Sequence, residues 1–223
     1  MEKLLDEIES YWSTRTEGYS EVNHKELAGT QKNAWLKVLT SQFPDKPKEE
    51  IRILDIGTGP GFFPVILAEA GYHVDAVDYT EGMLEKAKEN AGELCRNIHF
   101  QRMDAQKLEF EDNTFDVVIS RNLTWNLEHP DVAYREWVRV LKVGGRLLNF
   151  DANWYGYLYD EEKRLSYEED RKSVESEHLD DHYLCTDIDR MEKIALQMPL
   201  SSINRPSWDR KFLKENGFES VAV

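Results

Sequence analysis

The stretch Asp55-Ile-Gly57-Thr-Gly59-Pro-Gly61 sets an acid two residues ahead of three alternating glycines. Glycines permit positive φ and let a ligand approach the main chain closely. The unpaired N–H groups of a following helix would face that ligand. Asp78 lies about 21 residues beyond Gly57, where a carboxylate can take both hydroxyls of a ribose. Met103-Asp104-Ala105 adds a third acid, suited to accept from an adenine amino group. These types at these spacings predict a seat for a nucleotide-like cofactor.

Such a seat needs strands that end at one edge. A β-branched run, Ile51 to Ile56, predicts a strand buried on both faces, followed by a helix over 62–70 with Phe62, Val65, Ile66 and Ala70 at helical spacing. The pattern then alternates: a strand at 73–77 ending at Asp78, a helix at 81–94 with Thr80 as N-cap, strands at 98–102 and 115–120, and a helix at 131–141. Val143-Gly-Gly145 turns into a fifth strand at 146–150. This alternation predicts an α/β fold with a parallel sheet and right-handed crossovers. Residues 1–45 read as helices, with Leu4, Leu5, Ile8 and Trp12 on one face and Trp35, Leu36, Val38 and Leu39 on another. The aromatic segment Tyr11 to Tyr19 connects them, either packing them onto the core or serving as a lid. After Trp154, Tyr155, Tyr157 and Tyr159, residues 160–189 carry twelve acidic and four basic side chains. That is the composition of a solvated helix face, placed where a cap would sit. A helix at 208–216 and a strand at 218–223 close the chain. The expected division is 1–48 as a helical lid, 49–152 as the cofactor core, 153–206 as an acidic and aromatic cap insertion, and 207–223 as a return to the core.

Composition narrows the class. With 28 basic and 43 acidic residues among 223, the net charge is −15, which disfavours a nucleic-acid groove. Cys95 and Cys185 stand far apart and suggest no disulfide framework. No apolar run approaches the roughly 20 residues of a membrane span, and the acidic N-terminus lacks a signal peptide's basic region. The expectation is a cytoplasmic protein with neither nucleic acid nor membrane as partner; its oligomeric state is left open.

Up to Asp78, NAD and S-adenosylmethionine (SAM) sites look alike. Met103-Asp104-Ala105, the strand Phe115-Asp-Val-Val-Ile-Ser120 and the turn Val140-Leu-Lys-Val-Gly-Gly-Arg-Leu147 separate them. In this order the series resembles the class I SAM-dependent methyltransferases, specifically the small-molecule group that includes the ubiquinone/menaquinone-biosynthesis type. The resemblance is close over 50–152 and loose over 10–50. It implies a doubly wound, mostly parallel Rossmann-like sheet with helices on both faces, an N-terminal helical lid and a cap after strand five. It also implies SAM as cofactor. Gly57, Gly59 and Gly61, with Thr58 between them, would make room for its methionine part, and Asp55 would act through a water or the backbone on its amino group. Asp78 would hold the ribose, with Tyr79 and Met83 flanking the adenine, though Met83 also suits a core position. Asp104 and Ala105 would read the adenine edge, Arg121 would offer its carbonyl to the amino group, and Tyr19 would come over the cofactor. Asp78 and Asp104 also suit loop N-caps. The family sheet ends with an antiparallel strand beside strand five, whereas this sequence stops at Val223 one strand short; either the chain is truncated or that edge is built differently.

Methyl transfer is an in-line displacement governed by positioning, and a base helps only where the acceptor must lose a proton. His129 is the candidate base, or else a solvent-facing histidine. Asn122, Trp125 and Asn126 after strand four, and Asp151, Asn153, Trp154 and Tyr155 after strand five, are the candidate acceptor contacts. His178, His182 and Cys185 have metal-ligand spacing, but an exposed acidic helix is the default and no metal is expected. The reading is a SAM-dependent methyltransferase for a small molecule, its acceptor atom open among O, N and C. An amine or otherwise cationic substrate is favoured if the acidic cap contributes. The alternatives are an NAD-dependent oxidoreductase and a non-enzymatic SAM-sensing or partner-binding module.

Overall fold

A computed structural model describes residues 2–177 and 186–222. Two helices come first, α1 (Glu2–Ala28) and α2 (Gln31–Thr40). The core follows as β1 (Ile53–Ile56), α3 (Phe62–Glu69), β2 (Val74–Asp78), α4 (Glu81–Ala91), β3 (Ile98–Arg102), β4 (Phe115–Arg121), α5 (Pro130–Val140) and β5 (Leu141–Phe150). Beyond it lie α6 (Glu161–Glu177), α7 (Ile188–Ala195) and α8 (Arg205–Glu215). The five strands form one parallel sheet in the order β3-β2-β1-β4-β5. β1 is central, with Asp55 opposite Ala76 of β2 and Ile119 of β4. The strand order reverses between β1 and β4, which opens a crevice at their carboxyl ends.

Side chains alternate across β1 and so feed two cores. Leu54 and Ile56 pack with Tyr134 and Trp137 of α5 and Leu213 of α8. Ile53 packs on the other face, with Val117 and Ile119, against Phe62, Phe63 and Ile66 of α3. Helices therefore cover both faces, as an all-parallel sheet requires. Each fully buried side chain of this size contributes about 1.5–3 kcal/mol. α3 starts at Gly61 and tolerates Pro64 because its first turn needs no N–H donor there.

Four local expectations are corrected. The segment from Tyr11 to Tyr19 is no connector: α1 runs straight through it. The Thr14 hydroxyl donates back to the Tyr11 carbonyl at 2.6 Å and the Thr16 hydroxyl to the Ser13 carbonyl at 3.1 Å, so polar residues stay compatible with the helix. Val38 does not share the buried face of Leu39 and is 45% exposed. The turn at Val143-Gly-Gly145 interrupts β5 rather than preceding it. Leu141 pairs with Phe115 and Arg146 with Val117, so residues 142–145 bulge opposite the single residue Asp116. The strand expected at the C-terminus is absent over 218–222. Gly217, at φ 99°, reverses the chain so that Phe218 N–H returns to the Leu213 carbonyl, and Phe218 and Val221 fold onto the core instead of pairing. Among the described residues, no strand pairs with the outer edge of β5. Thr80 takes the N-cap position of α4, but its hydroxyl makes no capping bond.

A cleft between the glycine turn and the N-terminal helix

β1 ends in a turn fixed by its own backbone. The N–H groups of Gly57 and Thr58 both donate to the Val77 carbonyl, at 2.8 and 3.0 Å. Gly57, Gly59 and Gly61 all have positive φ, at 69°, 52° and 90°, yet they meet different surroundings. A Cβ on Gly57 would lie 2.8 Å from the Leu123 side chain, and one on Gly61 would lie 3.0 Å from Cβ and 3.2 Å from Cα of Ala87 in α4. At Gly59 the nearest neighbour would be the Tyr19 ring, at 3.6 Å. Gly57 and Gly59 line the cleft and Gly61 does not. Gly61 lets α3 start against α4, which corrects the expectation that all three glycines make room for a ligand.

The cleft at the carboxyl ends of the strands encloses about 770 Å³, its solvent-facing part included. Tyr79, Met83, Met103, Asp104 and Ala105 wall one end, and Arg121 to Leu123, Asn126 and Leu127 the other. Leu5, Ile8, Glu9, Trp12 and Tyr19 of α1 close the side. Met83 is both core and lining, only 2% exposed. Asp78 sits between the ends. Its Oδ2 accepts from Gly59 N–H at 2.8 Å and its Oδ1 from Thr80 N–H at 2.9 Å. Burial pushes its pKa up, and those two donors hold it back. Asp104 Oδ1 accepts from the backbone and side-chain amides of Gln106 at 2.8 and 3.3 Å. The Ala105 carbonyl accepts from Trp137 Nε1 at 2.9 Å.

Asp55 and Thr58 are buried beneath the turn and do not reach the cleft wall. Burial pushes the Asp55 pKa up to about 7, with the Asp78 charge adding to the rise and Arg121 opposing it. Arg121 turns its guanidinium toward α1, where it grips both Glu26 oxygens at 3.0 and 2.6 Å. It also lies 5.1 Å from the ring centres of Trp35 and Phe62. α1 is fastened further by Glu9 to Arg102 at 2.7 Å and by Lys86 to Glu17 at 3.0 Å.

The acceptor candidates divide. Asn122 and Asn126 line the cleft, Asn122 with a left-handed φ of 56°, a conformation asparagine tolerates better than most residues. Trp125, Asp151, Asn153, Trp154 and Tyr155 stand outside it. Asp151 is consumed by a buried network. Its Oδ2 accepts from the Thr124 hydroxyl, from Trp125 N–H at 2.9 Å and from Arg205 Nη1 at 3.2 Å, and its Oδ1 accepts from Trp154 Nε1 at 3.1 Å. Arg205, 4% exposed, also pairs with Asp209 at 3.1 Å. Trp125 donates its indole N–H to the Asn122 carbonyl and packs on Tyr155 with ring centres 4.8 Å apart. Asn153 Nδ2 donates to the Ile203 carbonyl at 3.2 Å. These residues build the back of the post-β4 loop rather than its ligand face. His129 begins α5 with its N–H on Gln106 Oε1 and a half-exposed ring, away from the cleft.

No described residue of 153–206 lines the cleft, so the acidic stretch gives no acceptor contact there. Tyr157 and Tyr167 of α6 stack on each other at 4.1 Å, and α7 supports α1 by packing Met191 and Ile194 with Ile8 and Tyr11. His178, His182 and Cys185 lie outside the described residues. Among the described residues no group of three or more His, Cys, Asp or Glu side chains is arranged to hold a metal. Sequence reasoning missed Arg205, which no spacing announces. It also missed Leu5, Ile8 and Glu9 as cleft residues, although the Leu4, Leu5, Ile8, Trp12 stripe was their signal.

A doubly wound α/β sheet, a glycine turn at its switch point and acids at and beyond neighbouring strand ends define a nucleoside-cofactor fold. The lining suits such a group, since carboxylates and carbonyls accept from its hydroxyl and amino hydrogens and Gly59, without a side chain, leaves its backbone facing the cleft beside the Tyr19 ring. Residues 54–149 match the sequence family described as a methyltransferase domain. Over 170 residues the chain is 31% identical to a ubiquinone/menaquinone biosynthesis C-methyltransferase of Xanthomonas oryzae pv. oryzae, covering 71% of this chain and 64% of that protein. Over 97 residues it is 40% identical to a demethylmenaquinone methyltransferase of Clavibacter sepedonicus, covering 44% of this chain and 39% of that protein. A crystal structure of an S-adenosyl-L-methionine-dependent methyltransferase from Methanococcus maripaludis shares the fold, with a TM-score of 0.63 at 21% identity over 93% of this chain and 85% of that one. The chain spans between 39% and 64% of the length of curated relatives that it matches. Residues 54–149 therefore carry a methyltransferase domain, and the chain is similar over that core to methyltransferases of ubiquinone and menaquinone biosynthesis.

Proposed function

We propose that this protein transfers a methyl group from SAM to a small-molecule acceptor. The observation that carries this reading is the continuity of one cleft from the Asp78 and Asp104 carboxylates, past Gly59, to Asn122 and Asn126. When bound, SAM supplies an electrophilic methyl on a sulfonium centre. Asp78 holds its ribose, and Tyr79, Met83, Asp104 and Ala105 hold its adenine. Gly57 and Gly59, with the Arg121 carbonyl and the Tyr19 ring, hold its methionine part. Asp55, Thr58 and Gly61 act from behind, by shaping and charging the turn. Asn122 and Asn126 face the acceptor, and Leu5, Ile8 and Trp12 exclude water from it.

In this reading residues 1–48 are a lid, 49–152 the cofactor core, 153–206 a buttress for the lid and the post-β4 loop, and 207–223 a return to the core. The protein works in the cytoplasm; no helix among the described residues is long and apolar enough to cross a membrane. Calorimetric titration with S-adenosylhomocysteine and with NAD tests the cofactor, and transfer of labelled methyl from SAM across an acceptor panel tests the activity. Binding of S-adenosylhomocysteine and labelled product are expected. Preferential binding of NAD would overturn the proposal.

A further inference from the structure

Arg205 of α8 is 4% exposed and ties three segments of the chain together. Its Nη2 donates to the Thr124 hydroxyl oxygen at 2.5 Å, its Nη1 to Asp151 Oδ2 at 3.2 Å and its Nε to Asp209 Oδ2 at 3.2 Å. Thr124, fully buried, donates its own hydroxyl hydrogen to Asp151 Oδ2 and accepts from Asn149 Nδ2 at 3.2 Å. Trp125 N–H reaches the same Asp151 oxygen at 2.9 Å. Apolar side chains of like volume often hold a fold as well as a buried ion pair does. What this pair adds is a fixed position for two consecutive residues of the loop after β4.

Those two residues sit between cleft residues. Asn122 and Leu123 before them and Asn126 and Leu127 after them line the cleft, whereas Thr124 and Trp125 do not. The Leu123 side chain lies against the glycine turn, where a Cβ on Gly57 would meet it at 2.8 Å. A shift of the loop therefore changes the end of the cleft formed by Gly57 and Arg121. The opposite end is built without Arg205. Gly59 and Thr80 N–H groups hold Asp78, and Trp137 Nε1 holds the Ala105 carbonyl.

We infer that Arg205 is a positioning residue for methyl transfer: through Thr124 and Asp151 it sets the loop of residues 122–127 against the methionine end of the cofactor, while the adenosine end is held independently of it. This rests on the proposed methyltransferase reading. Arg205 does not itself line the cleft. It acts through the planar fork of its guanidinium, which a lysine of equal charge lacks.

Calorimetry with S-adenosylhomocysteine and with 5′-methylthioadenosine, which keeps the adenosine and the sulfur but lacks the amino-acid part, tests it. Arg205→Met is expected to bind S-adenosylhomocysteine at least about tenfold more weakly than the wild type, while methylthioadenosine affinity stays within about twofold. Arg205→Lys is expected to recover part of that loss. Thr124→Val removes the hydroxyl and leaves Asp151 and Arg205 paired; it is expected to show the same split between the two ligands to a smaller extent. Equal losses for both ligands would make the network a prop for the whole fold and overturn the inference. Unchanged S-adenosylhomocysteine affinity, or a wild type that binds S-adenosylhomocysteine but not methylthioadenosine, would overturn it too. Each of these leaves the cofactor reading standing, whereas failure of S-adenosylhomocysteine to bind the wild type overturns both. If Arg205→Met does not fold, Thr124→Val decides, and equal or absent losses there count against the inference.

Discussion

Gly59 N–H donates to Asp78 Oδ2 at 2.8 Å, so the acid ending β2 holds the turn that ends β1. The same carboxylate takes Thr80 N–H, which ties it to the start of α4. Asp78 is thus positioned before any ligand arrives. Hydrogen bonds to a charged group contribute about 1.5–3 kcal/mol. Asp78→Asn is therefore expected to weaken S-adenosylhomocysteine binding at least about tenfold, or about 1.4 kcal/mol, by calorimetry. An unchanged affinity would remove Asp78 from the site.

The glycines should fail in different ways. Gly61→Ala forces a Cβ against the α4 backbone at φ 90°. Strain and overpacking of this kind cost about 1–3 kcal/mol each, to be seen as a lower urea midpoint. Gly59→Ala carries the strain of φ 52° but meets only the Tyr19 ring, so its stability loss is expected to be smaller than that of Gly61→Ala and its larger effect to fall on S-adenosylhomocysteine affinity. Equal effects of the two on stability and affinity would contradict this division.

Asp116 predicts an acid limb. The carboxylate is 3% exposed, opposite the bulge in β5, and bonds Lys46 at 2.6 Å, Lys142 at 2.7 Å and Arg52 N–H at 3.1 Å. Burial alone would raise its pKa, but the two lysines and the amide overcome it and bring it down to about 2. A carboxylate depressed on folding binds fewer protons in the folded state than in the unfolded one. Its contribution, about 2 kcal/mol, is complete above the unfolded pKa near 4 and is lost as pH falls toward 2. Asp116→Asn should flatten the stability profile between pH 4 and 2 in urea titrations.

The Asp151–Arg205 pair is buried on both sides, at 2% and 4% side-chain exposure. Removing one partner strands the other, at a cost of about 3–5 kcal/mol. Asp151→Ala should lose that much in chemical denaturation, and Asp151→Ala with Arg205→Met should lose less than the sum of the two single changes.

The core was legible because β1 and β4 are short, mostly apolar and β-branched runs stopped by turn residues, a pattern decided locally. Asp78 and Asp104 were legible for the same reason, since each sits where a strand stops or just after it. The Asp151 network was not, because Thr124, Asp151 and Arg205 come from three distant segments and each reads alone as an ordinary polar residue. α1 was misread at Tyr11 to Tyr19 because aromatic residues have only modest helix propensity, whereas packing against α7 and the cleft decides their conformation.

α1 also places residues 5–19 in contact with a cleft built from residues 57–127 and with α7 beyond it. Residues 5–19 take no part in the two main cores of the sheet, to which α1 contributes only Leu27 near its end. Its amides can therefore exchange hydrogen with solvent through local opening, without global unfolding. A ligand bound only while α1 is docked raises the cost of that opening by about 2.7 kcal/mol at a hundredfold excess over its Kd. Hydrogen exchange across residues 5–19 should slow about a hundredfold with S-adenosylhomocysteine bound while the amides of β1 change little, so cofactor occupancy can be read from a helix that precedes the whole sheet in the sequence.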